Sequence, residues 1–290
     1  MFGVLNIHKP AGCTSRDVVN RVQRLVRPVK VGHAGTLDPL ATGVLMVCLG
    51  PATRLLEYAH RFPKSYRGSF LLGLHSASDD LESEVIELAD AAIPTRDAVD
   101  AALPKFVGEI MQRPPIYSAV KVEGRRAYKL ARSGKPVELA EKPVNIHSLN
   151  VVEYQYPQLV LDIRCGSGTY IRSLGRDLAA ELGTAAVMSA LVRTSIGPFQ
   201  LKDALPLDEV TVESLANRLQ SPLGLLDGMP TVTVTDAEVA TICRGLAISR
   251  EATVGELAAV DAAGELVAIL VSAGDGSLRP QRVFLPERCN

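Results

Sequence analysis

Residues 32–43, GHAGTLDPLATG, run directly into the apolar stretch GVLMVCL at 43–49. Four of the twelve residues in the first segment are Gly or Pro, which imposes an irregular backbone. Asp38-Pro39 places a carboxylate at a bend stiffened by the pyrrolidine ring. The apolar stretch carries no charge and reads as a buried strand. Any fold of this chain must therefore hold a rigid, acid-bearing loop against a core strand. Taken alone, a loop aspartate is most often a turn former, and the pairing constrains structure before it suggests chemistry.

The rest of the chain supplies partners for that strand. Residues 2–7 read as a short strand followed by the turn material HKPAG. Thr14 and Ser15 suit a helix start, and Val18, Val22, Leu25 and Val26 recur at helical spacing. Arg21, Arg24 and Arg27 lie largely opposite, giving an amphipathic helix with a basic outer face. Strands are expected over 66–72 and 159–165, an irregular acidic stretch over 79–87, and a helix over 95–106. In 159–165, Leu159, Leu161, Ile163 and Cys165 alternate with more polar positions, the signature of a half-buried strand. GSGT at 166–169 leads into a helix with Ile171, Leu174, Leu178 and Leu182 inward, ended by Gly183. Pro and Gly punctuate 112–137, which reads as a protruding loop with a short helix near 127–133. From about Pro230, short β-rich pieces surround one helix near 236–244. A domain boundary is expected near Gly228, dividing the chain into 1–228 and 229–290.

Composition narrows the function classes. No apolar stretch approaches the length of a membrane span, and the N-terminus lacks the pattern of a signal peptide. A cytoplasmic protein is expected. The five cysteines, Cys13, Cys48, Cys165, Cys243 and Cys289, are scattered without C-x-x-C spacing and read as free thiols. The five histidines are scattered too, so no metal is expected. The net charge of −1 conceals two basic clusters. One comprises Arg16, Arg21, Arg24, Arg27 and Lys30. The other comprises Arg113, Lys121, Arg125, Arg126, Lys129, Arg132 and Lys135, with only Glu123 among them. Residues 208–265 are mostly acidic. This pattern fits either solvated charged faces or a confined surface for an anionic partner.

Two further segments have chemical potential. In GSGTYIRSLGRD, residues 166–177, Arg172 and Arg176 sit one helical turn apart beside Tyr170. An arginine in a helix's first turn is unfavourable by roughly 0.3–1 kcal/mol unless an anion compensates. A carboxylate or an RNA phosphate would do so. The glycines are compatible with phosphate binding, but the lysine of a phosphate-binding loop is missing, which weakens a nucleotide-enzyme reading. In PKSYRGSF, residues 63–70, Tyr66 opens a strand and would ordinarily be a half-buried core residue.

Six segments resemble, in order and at compatible spacing, bacterial TruB-type tRNA pseudouridine synthases. They are NIHKPAGCTS at 6–15, GHAGTLDPLATG at 32–43, KSY at 64–66, QRPPIYSAVK at 112–121, GRRAY at 124–128 and GTYIRSL at 168–174. The resemblance spans roughly residues 3–200. It implies an α+β fold with a mostly antiparallel central sheet, flanking helices and a site in its cleft. The region beyond 229 resembles a small PUA-like RNA-binding domain.

The resemblance also implies roles. Asp38 matches the family's catalytic aspartate, Tyr66 the tyrosine packed against the target base, and Arg172 the arginine paired with the aspartate. Leu191 matches an apolar residue of the base pocket, and His33 a histidine filling the space the base leaves. Asp80 falls where the family has an acidic residue contacting RNA, although Ala77 and Ser83 stand where Asp and Gly are usual. Lys9 and Pro10 match an architectural motif. Tyr170 and the loop residues Lys121, Arg125, Arg126 and Lys129 are expected to contact RNA. The implied activity is isomerisation of the uridine at position 55 in the tRNA T-loop, by a monomer acting on the T-arm without cofactor or metal. The alternative is a non-catalytic RNA-binding protein or tRNA-folding chaperone on the same scaffold.

Overall fold

A computed structural model describes residues 1–118, 121–122, 125–126, 139–250 and 255–284. The apolar strand of the opening argument spans Thr42–Leu49 and is buried along nearly its whole length. The reason is visible on its two faces. Leu45, Val47 and Leu49 pack with Val18, Val19, Val22 and Val26 of the helix Ser15–Val26, while Val44, Met46 and Cys48 enter a second apolar cluster on the other side. A strand covered on both faces shows no alternation, which is why this one reads as a continuous apolar run. The covering helix begins at a capping box in which Thr14 and Asp17 satisfy each other's backbone N–H groups.

This strand lies inside a ten-stranded sheet. The path runs Leu205–Pro206, Gly3–Lys9, Thr42–Leu49, Ala186–Ile196, Lys64–Leu72, Gln158–Cys165, Lys142–Gln155 and Gly108–Gln112. Val31–Ala34 and Phe199–Gln200 pair off that path. Only two of the pairings are parallel, those of Gly3–Lys9 with Leu205–Pro206 and of Ala186–Ile196 with Thr42–Leu49. The fold is α+β with a mostly antiparallel central sheet, as expected.

The strand Lys64–Leu72 does alternate. Lys64, Tyr66, Phe70 and Leu72 are buried, whereas Arg67 faces out and pairs across the sheet with Asp162 at 2.8 Å. The helix Ile171–Glu181 lies on the buried face, and its Leu174 and Leu178 join Phe70 and Leu72 in one cluster. Helix and strand meet at Gly175, where an added Cβ would sit 2.1 Å from Phe70 Cε1. That close approach accounts for a glycine inside a helix.

Three local readings are revised. Val31–Ala34, which overlaps the start of the segment 32–43 expected to be irregular, forms a strand against Thr42–Leu49. The acidic stretch contributes Val85–Glu87 to a hairpin with Leu74–Ser76. The expected helix over 95–106 is a short helix, Arg96–Ala102, continued as a 3-10 turn through Leu103–Phe106.

Beyond residue 230 a separate five-stranded sheet carries the helix Asp236–Cys243. It shares an apolar cluster with the first sheet: Ala258, Leu266, Ile269 and Phe284 pack with Val4, Ala34, Met46 and Leu55. Cys13, Cys48 and Cys165 are free thiols, but Cys243 is disulfide-bonded, which corrects the expectation that all five are free.

Replacing Gly175 by Ala is expected to destabilise the protein by roughly 1–3 kcal/mol in urea unfolding, through overpacking against Phe70. Adding Phe70→Leu should recover part of that loss. A Gly175→Ala protein as stable as the wild type would count against the close helix–strand contact.

Candidate active site

The loop bearing Asp38 is held from beneath. Lys9, the last residue of its strand, is fully buried, and its Nζ donates to the carbonyls of Pro10 (2.9 Å), Cys13 (2.7 Å) and Pro39 (3.3 Å). Gly12 N–H donates to Pro39 O at 2.9 Å. The Ser15 hydroxyl accepts from Leu37 N–H at 2.9 Å and lies 3.2 Å from Leu37 O. Ala41 N–H closes the turn on Asp38 O at 3.1 Å. The KPAGCTS segment is thus the bed of the loop, and the residues on both sides of Asp38 are fixed.

Asp38 keeps 38% of its side chain exposed, and its Oδ2 lies 3.1 Å from Nη2 of the buried Arg172. Arg172 Nη1 donates to Ser78 O (2.9 Å) and Nη2 to Tyr117 O (3.1 Å). Asp80 Oδ2 lies 3.2 Å from Arg172 Nη1, an ion pair without hydrogen-bond alignment. The other oxygen of Asp80 accepts from the Ser78 hydroxyl (2.5 Å) and from Glu82 N–H (3.0 Å). One guanidinium therefore bridges two carboxylates. Of the two compensating anions considered for an arginine in a helix's first turn, carboxylates fill the role. Arg176 likewise pairs with Asp79 and Asp177, each at 2.9 Å.

Burial pushes the Asp38 carboxyl above its ordinary 3.8; Arg172 opposes this, Asp80 adds to it, and Lys9 opposes it. Leu37 and Ala41, which flank Asp38, belong to the same apolar cluster as Tyr66, Ile171 and Leu191. Tyr66 and Leu191 thus share one apolar cluster with the residues flanking Asp38, and Arg172 pairs with that partly exposed carboxylate. Tyr66 is 9% exposed, and burial raises its phenol, with the Arg193 guanidinium opposing.

The other expected residues fall in varied places. His33 is half-buried on Val31–Ala34, its Nδ1 lacks a hydrogen-bond partner, and burial lowers its pKa, with Arg16 next in effect. Tyr170 precedes the helix; its N–H donates to Gln112 Oε1 (2.8 Å) and its carbonyl accepts from Gln112 Nε2 (3.1 Å). Asp80, expected on an RNA-contacting surface, is fully buried beneath Arg172. The cost of burying that guanidinium draws a counter-charge inward. The backbones of Lys121–Val122 and Arg125–Arg126 form a two-stranded ladder, while Lys129 and the short helix expected near 127–133 lie outside the described residues. The loop's root is tied to the site: Ser173 Oγ (2.9 Å) and Arg176 Nη2 (3.0 Å) both donate to Arg113 O. In GSGT, Ser167 accepts from Lys64 Nζ at 2.6 Å, so that hydroxyl serves an internal clamp. Among the described residues no group of three or more His, Cys, Asp or Glu could hold a metal.

Sequence reasoning missed Arg193, Lys64 and Gln112, which are buried at 1%, 5% and 1% exposure. Arg193 stands two positions beyond Leu191 and so on the same strand face, a period-two signal available once 186–196 is read as a strand.

Residues 23–171 match the N-terminal domain of the TruB family of pseudouridylate synthases. The chain belongs to that family. As a pseudouridine synthase it is an isomerase. A tRNA pseudouridine synthase B of Dehalococcoides mccartyi is 41% identical over 292 residues, covering 98% of this chain and 97% of the relative. One of Arthrobacter sp. (strain FB24) is 42% identical over 301 residues, covering 99% of this chain and 97% of the relative. The fold is also that of a chain in the crystal structure of a Cbf5–Nop10–Gar1 complex, with TM-score 0.73 and 27% identity over 98% of this chain and 85% of that one.

The raised carboxyl of Asp38 has a measurable consequence. Its folded value lies above its unfolded one, so ionising it costs stability, and the cost sets in as pH rises from 3.8 through the folded value. Asp38→Asn is therefore expected to melt at a higher temperature than the wild type at neutral pH. The difference should vanish below pH 3.8, where both side chains are neutral. An unchanged or lower melting temperature at neutral pH would show that Arg172 outweighs burial.

Proposed function

We propose that this chain converts uridine to pseudouridine at position 55 in the T-loop of tRNA, with Asp38 as the catalytic carboxylate. The observation that carries this reading is the 3.1 Å pairing of a partly exposed Asp38 with a buried Arg172, beside the apolar cluster that holds Tyr66 and Leu191. Family membership supplies the reaction class, and the relatives named tRNA pseudouridine synthase B support tRNA as the substrate.

The isomerisation breaks N1–C1′, turns the base and joins C5 to C1′. No atom is gained or lost, so the chemistry needs only this chain's own groups. The target base must first leave its stack, at a cost of a few kcal/mol. His33 filling the vacated space would offset part of that cost, and its burial-favoured neutral ring suits packing among bases. The uracil would then lie against Tyr66 and Leu191. Asp38 must act while ionised, against the pull of burial, and the guanidinium of Arg172 keeps it so and fixes its orientation. After the base rejoins through C5, the C5 proton leaves; Tyr66 is the group assigned to take it.

RNA affinity comes from phosphate contacts, which we assign to the loop at 112–137 with Lys121, Arg125, Arg126 and Lys129, and to Tyr170 at its root. Residues 1–228 form the catalytic unit and 229–290 a PUA-like unit, in a monomer that works in the cytoplasm on the tRNA T-arm. A tRNA-folding role can coexist with catalysis on the same surface.

The test is a T-arm stem-loop carrying C5-tritiated uridine. The wild type should release tritium, Asp38→Asn should release none above background, and Arg172→Lys should lose at least tenfold, because a lysine cannot reproduce the planar two-point grip. Equal release by wild type and Asp38→Asn would overturn the reading.

A further inference from the structure

The strand Ala186–Ile196 presents Leu191 and Arg193 to the buried face, and Arg193 is the cross-strand partner of Tyr66. Side chains at such opposed positions have Cβ atoms about 5 Å apart, so the guanidinium starts beside the phenol. Arg193 is 1% exposed. Its Nε donates to Val44 O at 2.7 Å and its Nη2 to Gly35 O at 2.9 Å. A Cβ at Gly35 would stand 3.3 Å from Arg193 Nη1, so the loop passes close over the guanidinium. Among the described residues, no carboxylate forms an ion pair with Arg193.

A fully buried guanidinium without a carboxylate is costly, and two carbonyl bonds offset the cost only in part. A leucine or methionine would fill the space at less expense. The charge therefore invites a role, and the polar side chain directly opposite it across the strand pair is Tyr66, whose phenol ionises more readily for the presence of the guanidinium.

We propose that Arg193 is a positioning residue for the reaction: its guanidinium fixes the Tyr66 hydroxyl relative to the Asp38 loop and stabilises the phenolate that accepts the C5 proton. This rests on the assignment of Tyr66 as proton acceptor. In the step itself the C5–H bond breaks and its electron pair becomes the C5–C6 double bond, while the C6–N1 π pair moves onto N1, which takes up a proton from water. The phenolate oxygen takes the C5 proton, and the phenol later returns to the ionised state by loss of a proton to water. Burial works against that ionised state, and Arg193 is the largest opposing influence. The other titratable groups around the pair are Lys9 from the first strand, His33 from the neighbouring strand, Lys64 beside Tyr66, Cys165 across the sheet and Asp38 in the loop. Lys9 and Lys64 are themselves buried and bonded to backbone carbonyls, and of the three buried cations Arg193 is the one paired across the strands with Tyr66.

The test places a fluorinated tyrosine of lowered intrinsic pKa at position 66 and follows its ionisation by fluorine NMR in the free, full-length protein. Replacing Arg193 by Gln keeps hydrogen bonding and removes charge; the midpoint should rise by about one unit or more, a tenfold loss of acidity. Arg193→Lys keeps a charge and should leave the midpoint within a few tenths of the wild type. A purely structural Arg193 would move neither midpoint, and an unchanged midpoint in Arg193→Gln overturns the proposal. If Arg193→Gln does not fold, Arg193→Lys decides: a midpoint raised as far as complete loss of charge predicts would overturn it. In single-turnover tritium release, Arg193→Gln should lose tenfold or more and should cost little further in a Tyr66→Phe background; full additivity would also overturn it. Should the wild type release no tritium, the proposed function falls, while the fluorine titration still decides the Arg193–Tyr66 coupling.

Discussion

Everything at the site depends on one buried guanidinium shared by two carboxylates. Arg172 lies in the first turn of the helix Ile171–Glu181, where the unpaired N–H groups make a cation unwelcome, and it is only 6% exposed. Both penalties are met by Asp38 and Asp80, each within 3.2 Å. The two carboxylates are not equivalent. Asp80 is closed in, with one oxygen held by Ser78 and by the Glu82 amide, and it has no surface to present. Asp38 is partly open. The inner acid neutralises the arginine and fixes its plane, while the outer acid is left oriented and accessible. A single Asp–Arg pair would fix charge; the second acid fixes direction.

The cations around this trio solve a different problem. Lys9, Lys64 and Arg193 are buried with backbone carbonyls as acceptors, and burial lowers the Lys64 ammonium to about 8. Each ties a loop to a strand: Lys9 holds residues 10–13 and Pro39, Lys64 holds His60, Phe62 and Ser167, and Arg193 holds Gly35. Irregular backbone leaves carbonyls that a sheet cannot satisfy, and a long cation reaching from a strand end satisfies two or three at once. Lys9 at Pro39 and Arg193 at Gly35 pin the loop around Asp38 on both sides, which makes it rigid without regular secondary structure. Preorganisation of this kind lets a carboxylate act without first paying to be ordered.

What could be read from sequence followed the range of each signal. The helix Ser15–Val26, the strands Thr42–Leu49 and Gln158–Cys165 and the helix Ile171–Glu181 announce themselves through spacing, caps and terminating glycines, all within a few residues. Asp38, Tyr66 and Arg172 stand out by position and take their roles, with Leu191, from the family resemblance, and the fold brings them together because each belongs to or borders the same cluster. Features that escaped are made by distant pairings. The strand Val31–Ala34 exists only because Thr42–Leu49 offers it an edge, and the burial of Asp80 follows from Arg172, 92 positions along the chain by their residue numbers. An inward-facing arginine such as Arg193 looks, in a linear reading, like one more surface cation.

The acidic C-terminal segment shows how charge counted along a chain misleads about surfaces. Residues 208–265 are mostly acidic, yet Glu256 is turned toward the helix Leu56–Arg61, accepting from the Tyr58 hydroxyl at 2.8 Å and pairing with Arg61 at 3.1 Å. In the other direction Arg54 donates to Val283 O, Arg282 pairs with Glu57, and Phe284 stacks on Phe2 with ring centroids 5.7 Å apart. Part of the segment's acidity is thus consumed at the junction rather than shown to solvent. The shared apolar cluster beneath these contacts joins the two sheets through buried side chains rather than through the connecting chain alone.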